Sequence, residues 1–212
     1  MIVSFAGRRY THLGPLSSPK NGEGCMLTVR AAQCIMKKTK GGGAVKETIR
    51  LAEARDVEEL LAVYKEAREF MAQHGNPTQW YASGYPGEAV LEEDIALSRL
   101  YVIERGGRIA AAFVIAEGEE PTYRVIEEGE WPTSRPYLTV HRLASRTDEH
   151  GCADAALEHA ERTAASRGMT VRADTHADNA PMRRILERRG YRYCGVIRVR
   201  GGSPRLAFEL RE

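Results

Sequence analysis

The spacing of apolar residues changes several times along the chain, and each change marks an element. Over 48–54 apolar and polar positions alternate as in a short strand. Val57, Leu60, Leu61, Tyr64, Ala67 and Met71 then recur at the spacing of a helix that buries one face. Asp56, with Glu59 three residues on, predicts a capping box at the start of that helix, and Gly75-Asn76-Pro77 predicts its stop. A polar, aromatic-bearing loop through Gln79, Trp80, Tyr81 and Tyr85 leads to a second helix over 87–97. The runs 100–104 and 109–117 read as strands joined across Gly106-Gly107, because paired glycines supply the positive φ angles of a tight hairpin. No period governs 118–135. Beyond it come a strand over 137–144 and a helix over 152–166 with Ala153, Leu157, Ala160 and Ala164 on one face. A strand over 170–175, a helix over 179–189 and a hairpin pairing 191–200 with 204–210 complete the chain.

Hairpins force antiparallel pairs, and a helical crossover permits a parallel one. The expected fold is therefore a single α/β (α+β) domain over 47–212, with a mixed, mostly antiparallel sheet of about six to seven strands flanked by about four helices. Residues 1–46 break the pattern. They carry eight Lys/Arg against Glu23 alone, a charge of +7 that leaves −5 for the remainder, and no apolar period that would fix them to a core. This leader is expected to be largely disordered. Three readings of it stand open: a start assigned too early, with Met26 or Met36 as the true one; a solvated tail; or a basic arm for nucleic acid. Its scant aromatic content argues against the last.

No apolar run nears the roughly 20 residues a membrane-spanning helix needs, so no membrane partner is expected. The four cysteines, Cys25, Cys34, Cys152 and Cys194, lack metal-site or C-x-x-C spacing, which fits reduced thiols in the cytoplasm. His150, Cys152 and His159 make no convincing ligand set, and no metal is expected.

Chemistry concentrates after Tyr137. An extended run gives way to a short loop bearing Gly151 and the small Ala153, and then to a helix. The first turn of a helix has N–H groups without partners and a partial positive charge, so such a loop suits a phosphate. A second strand leads to Asn179 and Pro181 at the start of another helix, which closes at Gly190.

This order resembles the GNAT acetyltransferases, whose acyl-CoA pyrophosphate sits on a loop of pattern Gln/Arg-x-x-Gly-x-Gly/Ala. The matching stretch is Asp148, Glu149, His150, Gly151, Cys152 and Ala153. The small positions agree, whereas Asp148 replaces the leading Gln/Arg, so the acid must turn away and recognition must lean on backbone amides, with Arg146 or His150 as sources of charge. Asn179 and the later Gly190-Tyr191 pair also match the family, and the resemblance covers 48–210.

The resemblance implies a transferase of the acyltransferase class: an acetyl-CoA-dependent N-acetyltransferase acting by direct attack of a small-molecule or peptide amine. It also implies a sheet splayed between the 137 and 170 strands. Main-chain groups of Leu143, Ala144 and Ser145 would meet the thioester arm, residues 148–153 the pyrophosphate, and Asn179 the cofactor as well. The family often carries a tyrosine acid seven residues after the asparagine; here that position is Leu186. Tyr193 is then a candidate acid, and His141 and Glu130 are candidate bases. Gln79, Trp80 and Trp131 are expected to line the acceptor pocket. A non-catalytic acyl-CoA-binding module of the same fold is the alternative, and pairing of final hairpins between chains would give a homodimer.

Overall fold

In the computed structural model, described over residues 33–38, 44–80, 82–199 and 201–211, hydrogen bonds join eight strands into one sheet in the order β1-β2-β3-β4-β5-β6-β8-β7. The strands are β1 (Gln33–Lys38), β2 (Ala44–Leu51), β3 (Leu100–Arg105), β4 (Arg108–Glu117), β5 (Tyr137–Ser145), β6 (Thr170–Thr175), β7 (Tyr191–Arg198) and β8 (Pro204–Leu210). The helices are α1 (Val57–Gln73), α2 (Glu88–Ala96), α3 (Cys152–Ser166) and α4 (Ala180–Arg188). β5 and β6 pair in parallel, through the crossover helix α3; the other strand pairs are antiparallel. This is the mixed single-domain fold expected.

The strand count exceeds the expectation because β1 lies inside the stretch read as leader. Gln33–Lys38 pairs with β2 from Gln33↔Ile49 to Lys38↔Ala44, so the boundary at 46–47 is too late and the sheet begins at residue 33. Basic residues on an edge strand need no apolar period, since an edge is held by backbone bonds to one neighbour. Residues 1–32 and 39–43 of the leader lie outside the described residues.

Two cores sandwich the sheet. Leu60, Val63 and Tyr64 of α1 with Leu91 of α2 pack on Leu100, Val102, Ala112 and Val114. On the other face Ala156, Leu157, Ala160 and Leu186 pack on Ile103, Phe113, Leu138, Val140 and Phe208. A third cluster, built on Tyr123, Ile197 and Ala207 with Trp131 and Tyr137 against it, holds the aperiodic stretch. That stretch contains a 3₁₀ turn, Pro121–Tyr123, and bridges the outer edge of β7 through Glu127 and Val196.

The start of α1 differs from the predicted box. Asp56 accepts from the Glu53 amide at 2.7 Å and pairs with Arg50 at 2.7 Å, while Glu59 accepts from the Ile109 amide at 2.9 Å. Both carboxylates tie the helix to the sheet instead, because half-buried donors there outbid a solvated cap.

One buried ion pair stands out. Asp94 on α2 is fully buried; its Oδ2 lies 2.8 Å from Arg142 Nε and its Oδ1 2.6 Å from Arg99 Nε. Replacing one partner strands the other charge, which typically costs about 3–5 kcal/mol. Asp94→Ala is expected to lose stability of that order in urea unfolding, whereas Lys65→Ala, in the exposed pair with Glu69, should change it by less than about 0.5 kcal/mol.

Candidate functional site

β5 and β6 pair only from Tyr137↔Thr170 to Val140↔Ala173. β6 then runs on to Thr175 beside β8, and β5 to Ser145 beside β4. Beyond Val140 and Ala173 the two strands are unpaired, and the gap between them is the cleft. The register explains it: Val114 faces His141 but Ala112 faces Ala144, so three steps on β5 span two on β4, with Arg142 in the left-handed region at φ +51°. A bulge bends its strand and breaks pairing. For a residue with a side chain that conformation costs about 1–2 kcal/mol, and three contacts hold it. Tyr64 Oη donates to the Arg142 carbonyl at 2.8 Å, Arg142 Nη1 donates to Tyr85 Oη at 2.6 Å, and Nη2 donates to Asp94 at 2.8 Å. Leu143, Ala144 and Ser145 follow directly, on the part of β5 that β6 no longer covers.

At one end of the cleft lies the start of α3. Gly151, at φ +72°, precedes the helix without a side-chain cap, and a Cβ on it would meet nothing within 4 Å. The N-cap therefore gives the first turn of α3 no side-chain acceptor. The acids before it are turned aside onto the β3–β4 hairpin: Arg108 pairs with Asp148 at 2.5 Å and Glu149 at 3.0 Å, and Arg105 with Glu149 at 2.9 Å. The Arg108 hydrogen bond holds the Asp148 carboxyl below its usual range. Arg105 also donates to the His150 carbonyl at 2.8 Å, and the His150 side chain is exposed. Arg146 is directed to Glu59 and Glu66 on α1, and so is not the source of charge beside the loop. Cys152 is buried; Ala153 is half-buried.

The loop after α1 reaches the start of α4. Asn179 accepts from the Met182 amide at 3.3 Å as the cap, while its amide donates at 3.3 Å to Gln79 Oε1, which also accepts from Asn76 at 2.7 Å. Trp80 meets Tyr64 edge-on, with 6.0 Å between ring centroids, and Tyr85 at 6.4 Å. Gln79 and Asn179 thus meet, while Trp80 packs on Tyr64 and Tyr85. Trp131 is elsewhere: its indole donates to the Tyr123 carbonyl at 2.9 Å, and its face stacks on Tyr123 and under the Arg172 guanidinium at 4.0 Å. It supports Tyr123 from behind.

His141 and Asp174 are the first residues past the last β5–β6 pair, one on each strand. Nδ1 of His141 lies 3.8 Å from Asp174 Oδ2, and Nε2 lies 3.3 Å from Glu120 Oε2. The buried Tyr123 donates to Asp174 Oδ2 at 2.9 Å, and burial together with that carboxylate pushes the phenol well above its usual range. Sequence reasoning found His141 but missed Glu120, Tyr123 and Asp174. Asp174 left one trace, an acid among the alternating residues of a short strand; Glu120 sits where no period exists. Tyr193 packs edge-on against Phe208, in the core under α3 and α4, and with Glu130 and Cys194 lines a shallow concavity beside β7. Neither joins the His141 group. Leu186 is fully buried. Among the described residues no group of three or more His, Cys, Asp or Glu is arranged to hold a metal, and no helix is long and apolar enough to cross a membrane.

The His141 hydrogen bond, with those from Thr122, outweighs burial and lowers the Glu120 carboxyl to about 2. A depressed folded pKa means stability present above the unfolded value and lost as pH falls through the folded one. The stability difference between the protein and Glu120→Gln should accordingly be constant above pH ~4.5 and shrink toward pH ~2, followed by melting temperature; loss centred near pH 4.5 would contradict the geometry.

No protein-family model matches the chain, and no curated protein matches it by sequence. Solved structures do. A GNAT-family acetyltransferase from Streptococcus agalactiae is 30% identical, with a TM-score of 0.66 over 78% of this chain and 96% of that one. One from Listeria monocytogenes is 18% identical, with a TM-score of 0.61 over 84% and 100%. The ribosomal-protein-S18-alanine N-acetyltransferase of Escherichia coli is 16% identical, with a TM-score of 0.53 over 77% and 92%, a likeness of fold alone.

Proposed function

Since the chain belongs to the GNAT family of acetyltransferases, we propose that it is an acetyl-CoA-dependent N-acetyltransferase acting on a primary amine of a small molecule or peptide by direct attack. One observation carries the reading: the cleft between β5 and β6 has an uncapped helix start at one end and an imidazole at the other. Acetyl-CoA supplies the thioester-activated acetyl group when bound. The site fits it. Open space over Gly151 and the helix start without a side-chain cap suit a diphosphate, and Arg105 and Arg108 neutralise the two acids that would repel it. Asp148, Glu149, His150, Gly151, Cys152 and Ala153 then contribute main chain rather than charge.

Along the cleft, Leu143, Ala144 and Ser145 offer strand edge to an extended arm, and Asn179, beside Gln79, is a further contact for it in this reading. His141 holds a position to take a proton from the amine. Gln79 and Trp80 line the acceptor side in this reading. The buried free thiols Cys152 and Cys194 suit a reducing compartment such as the cytoplasm. Pairing of β7 between copies is the weaker part, because Glu127 already occupies that edge at Val196.

A second reading, an acyl-CoA-binding module without turnover, is favoured by the fully buried Leu186, which puts no hydroxyl where the family often has an acid. Millimolar acetyl-CoA is expected to raise the melting temperature by several degrees, as a ligand of the native state must. Gly151→Val should abolish that shift, because a β-branched residue both strains the left-handed backbone and fills the ligand's space, while costing the fold only about 1–3 kcal/mol. No shift with the unaltered protein would sink the acetyl-CoA reading. Sustained amine-dependent thiol release supports the enzyme, and binding without release supports the module.

A further inference from the structure

Resting on the acetyltransferase reading, we infer that Glu120 is the residue that binds the acceptor as an ammonium ion, and that it makes the protein selective for primary amines without a neighbouring carboxylate. Glu120 is held from three sides. Its amide donates to Tyr137 Oη at 3.0 Å, and its Oε1 accepts from the Thr122 amide at 3.2 Å and the Thr122 hydroxyl at 2.9 Å. Only Oε2 is left to face outward, 3.3 Å from His141 Nε2, and both side chains keep part of their surface open, 25% and 20%. A carboxylate fixed by two hydrogen bonds on one oxygen, with the other oxygen beside an imidazole where β5 and β6 part, is a preorganised cation site.

The other groups around it point the same way. Asp174 of β6 faces Nδ1 of His141 and is itself bonded by Tyr123. Arg205 of β8 interacts electrostatically with Asp174, but its guanidinium is engaged by the Ser203 hydroxyl and the Pro204 carbonyl. Thr139, two residues before His141 on the same face of β5, is 1% exposed and its hydroxyl has no partner, the kind of group that a polar ligand satisfies. An amine bridging Glu120 and His141 donates one N–H to each. It loses a proton to neutral His141, and its freed lone pair forms the C–N bond to the acetyl carbonyl carbon as the C–S bond breaks. The second nitrogen proton leaves with the thiolate, and His141 returns its proton to solvent. An acceptor with an α-carboxylate would set a third anion beside Glu120 and Asp174, which like-charge repulsion disfavours.

The test uses the full chain and thiol release from acetyl-CoA, with n-butylamine and putrescine against glycine and L-alanine. Wild type should prefer the two alkylamines. Glu120→Gln should raise their KM by about tenfold or more, the loss of a charged hydrogen bond, with acetyl-CoA affinity nearly unchanged. Glu120→Asp should recover part of it. His141→Gln should instead lower kcat by about 100-fold or more and abolish the acidic limb of the pH profile. If Glu120→Gln leaves the amine KM within about twofold, or if the amino acids are turned over as well as the alkylamines, Glu120 is only a structural partner of His141 and the inference is overturned. Acetyl-CoA binding with no amine in the panel used also overturns it. Failure of wild type to bind acetyl-CoA at all would be a different result, sinking the acetyltransferase reading beneath it.

Discussion

The cleft depends on one arginine being held where arginine does not rest. Arg142 occupies the left-handed region in the middle of a strand, and the bulge it makes turns β5 away from β6 just after their last shared pair. Nothing in a strand favours that by itself. Asp94, fully buried, accepts from the guanidinium, and Tyr64 donates to the carbonyl of the same residue. α1 and α2 are thereby bolted to the deformed strand. A buried charge pair is weak evidence for stability but good evidence for a specified geometry, since each partner is costly without the other.

The same logic handles the acids at the helix start. A diphosphate site with Asp148 and Glu149 in its loop is self-defeating until something removes their field. The β3–β4 hairpin does so, because its tight glycine turn leaves Arg105 and Arg108 opposite each other in register at the end of the sheet that meets the loop. Backbone amides, which carry no net charge, then dominate the helix start. At the far end of the cleft the balance reverses: Glu120 and Asp174 flank His141, so the two ends have opposite electrostatic character. That polarity suits an anionic ligand at one end and a cationic one at the other.

Periodicity carried the elements well where one face is buried. The six-residue helical recurrence in α1 and the alanine face of α3 left little freedom, and Gly106-Gly107 allowed only a hairpin. Gly151 and Asn179 were legible because a left-handed turn and a helix cap each demand a small menu of residues. β1 was not, since an edge strand of mixed polarity has no apolar signature. Trp131 misled: an aromatic in a loop looks like a pocket wall, but here its indole nitrogen donates to Tyr123 and its ring stacks on Tyr123 and under Arg172.

What the sequence by itself determined is therefore the order of strands and helices from β2 onward, the one parallel crossover, and the place of the helix start that resembles a phosphate loop, because these follow from spacing and backbone chemistry within a few residues. The tertiary structure alone decided that β5 and β6 part at Val140, that Arg142 is the wedge, and that Glu120, His141, Tyr123 and Asp174 meet. Those four residues come from a 3₁₀ turn and its cap and from two strands, up to 54 residues apart from Glu120 to Asp174. No local pattern links them. Their meeting is a consequence of sheet register, which is set by every buried side chain at once.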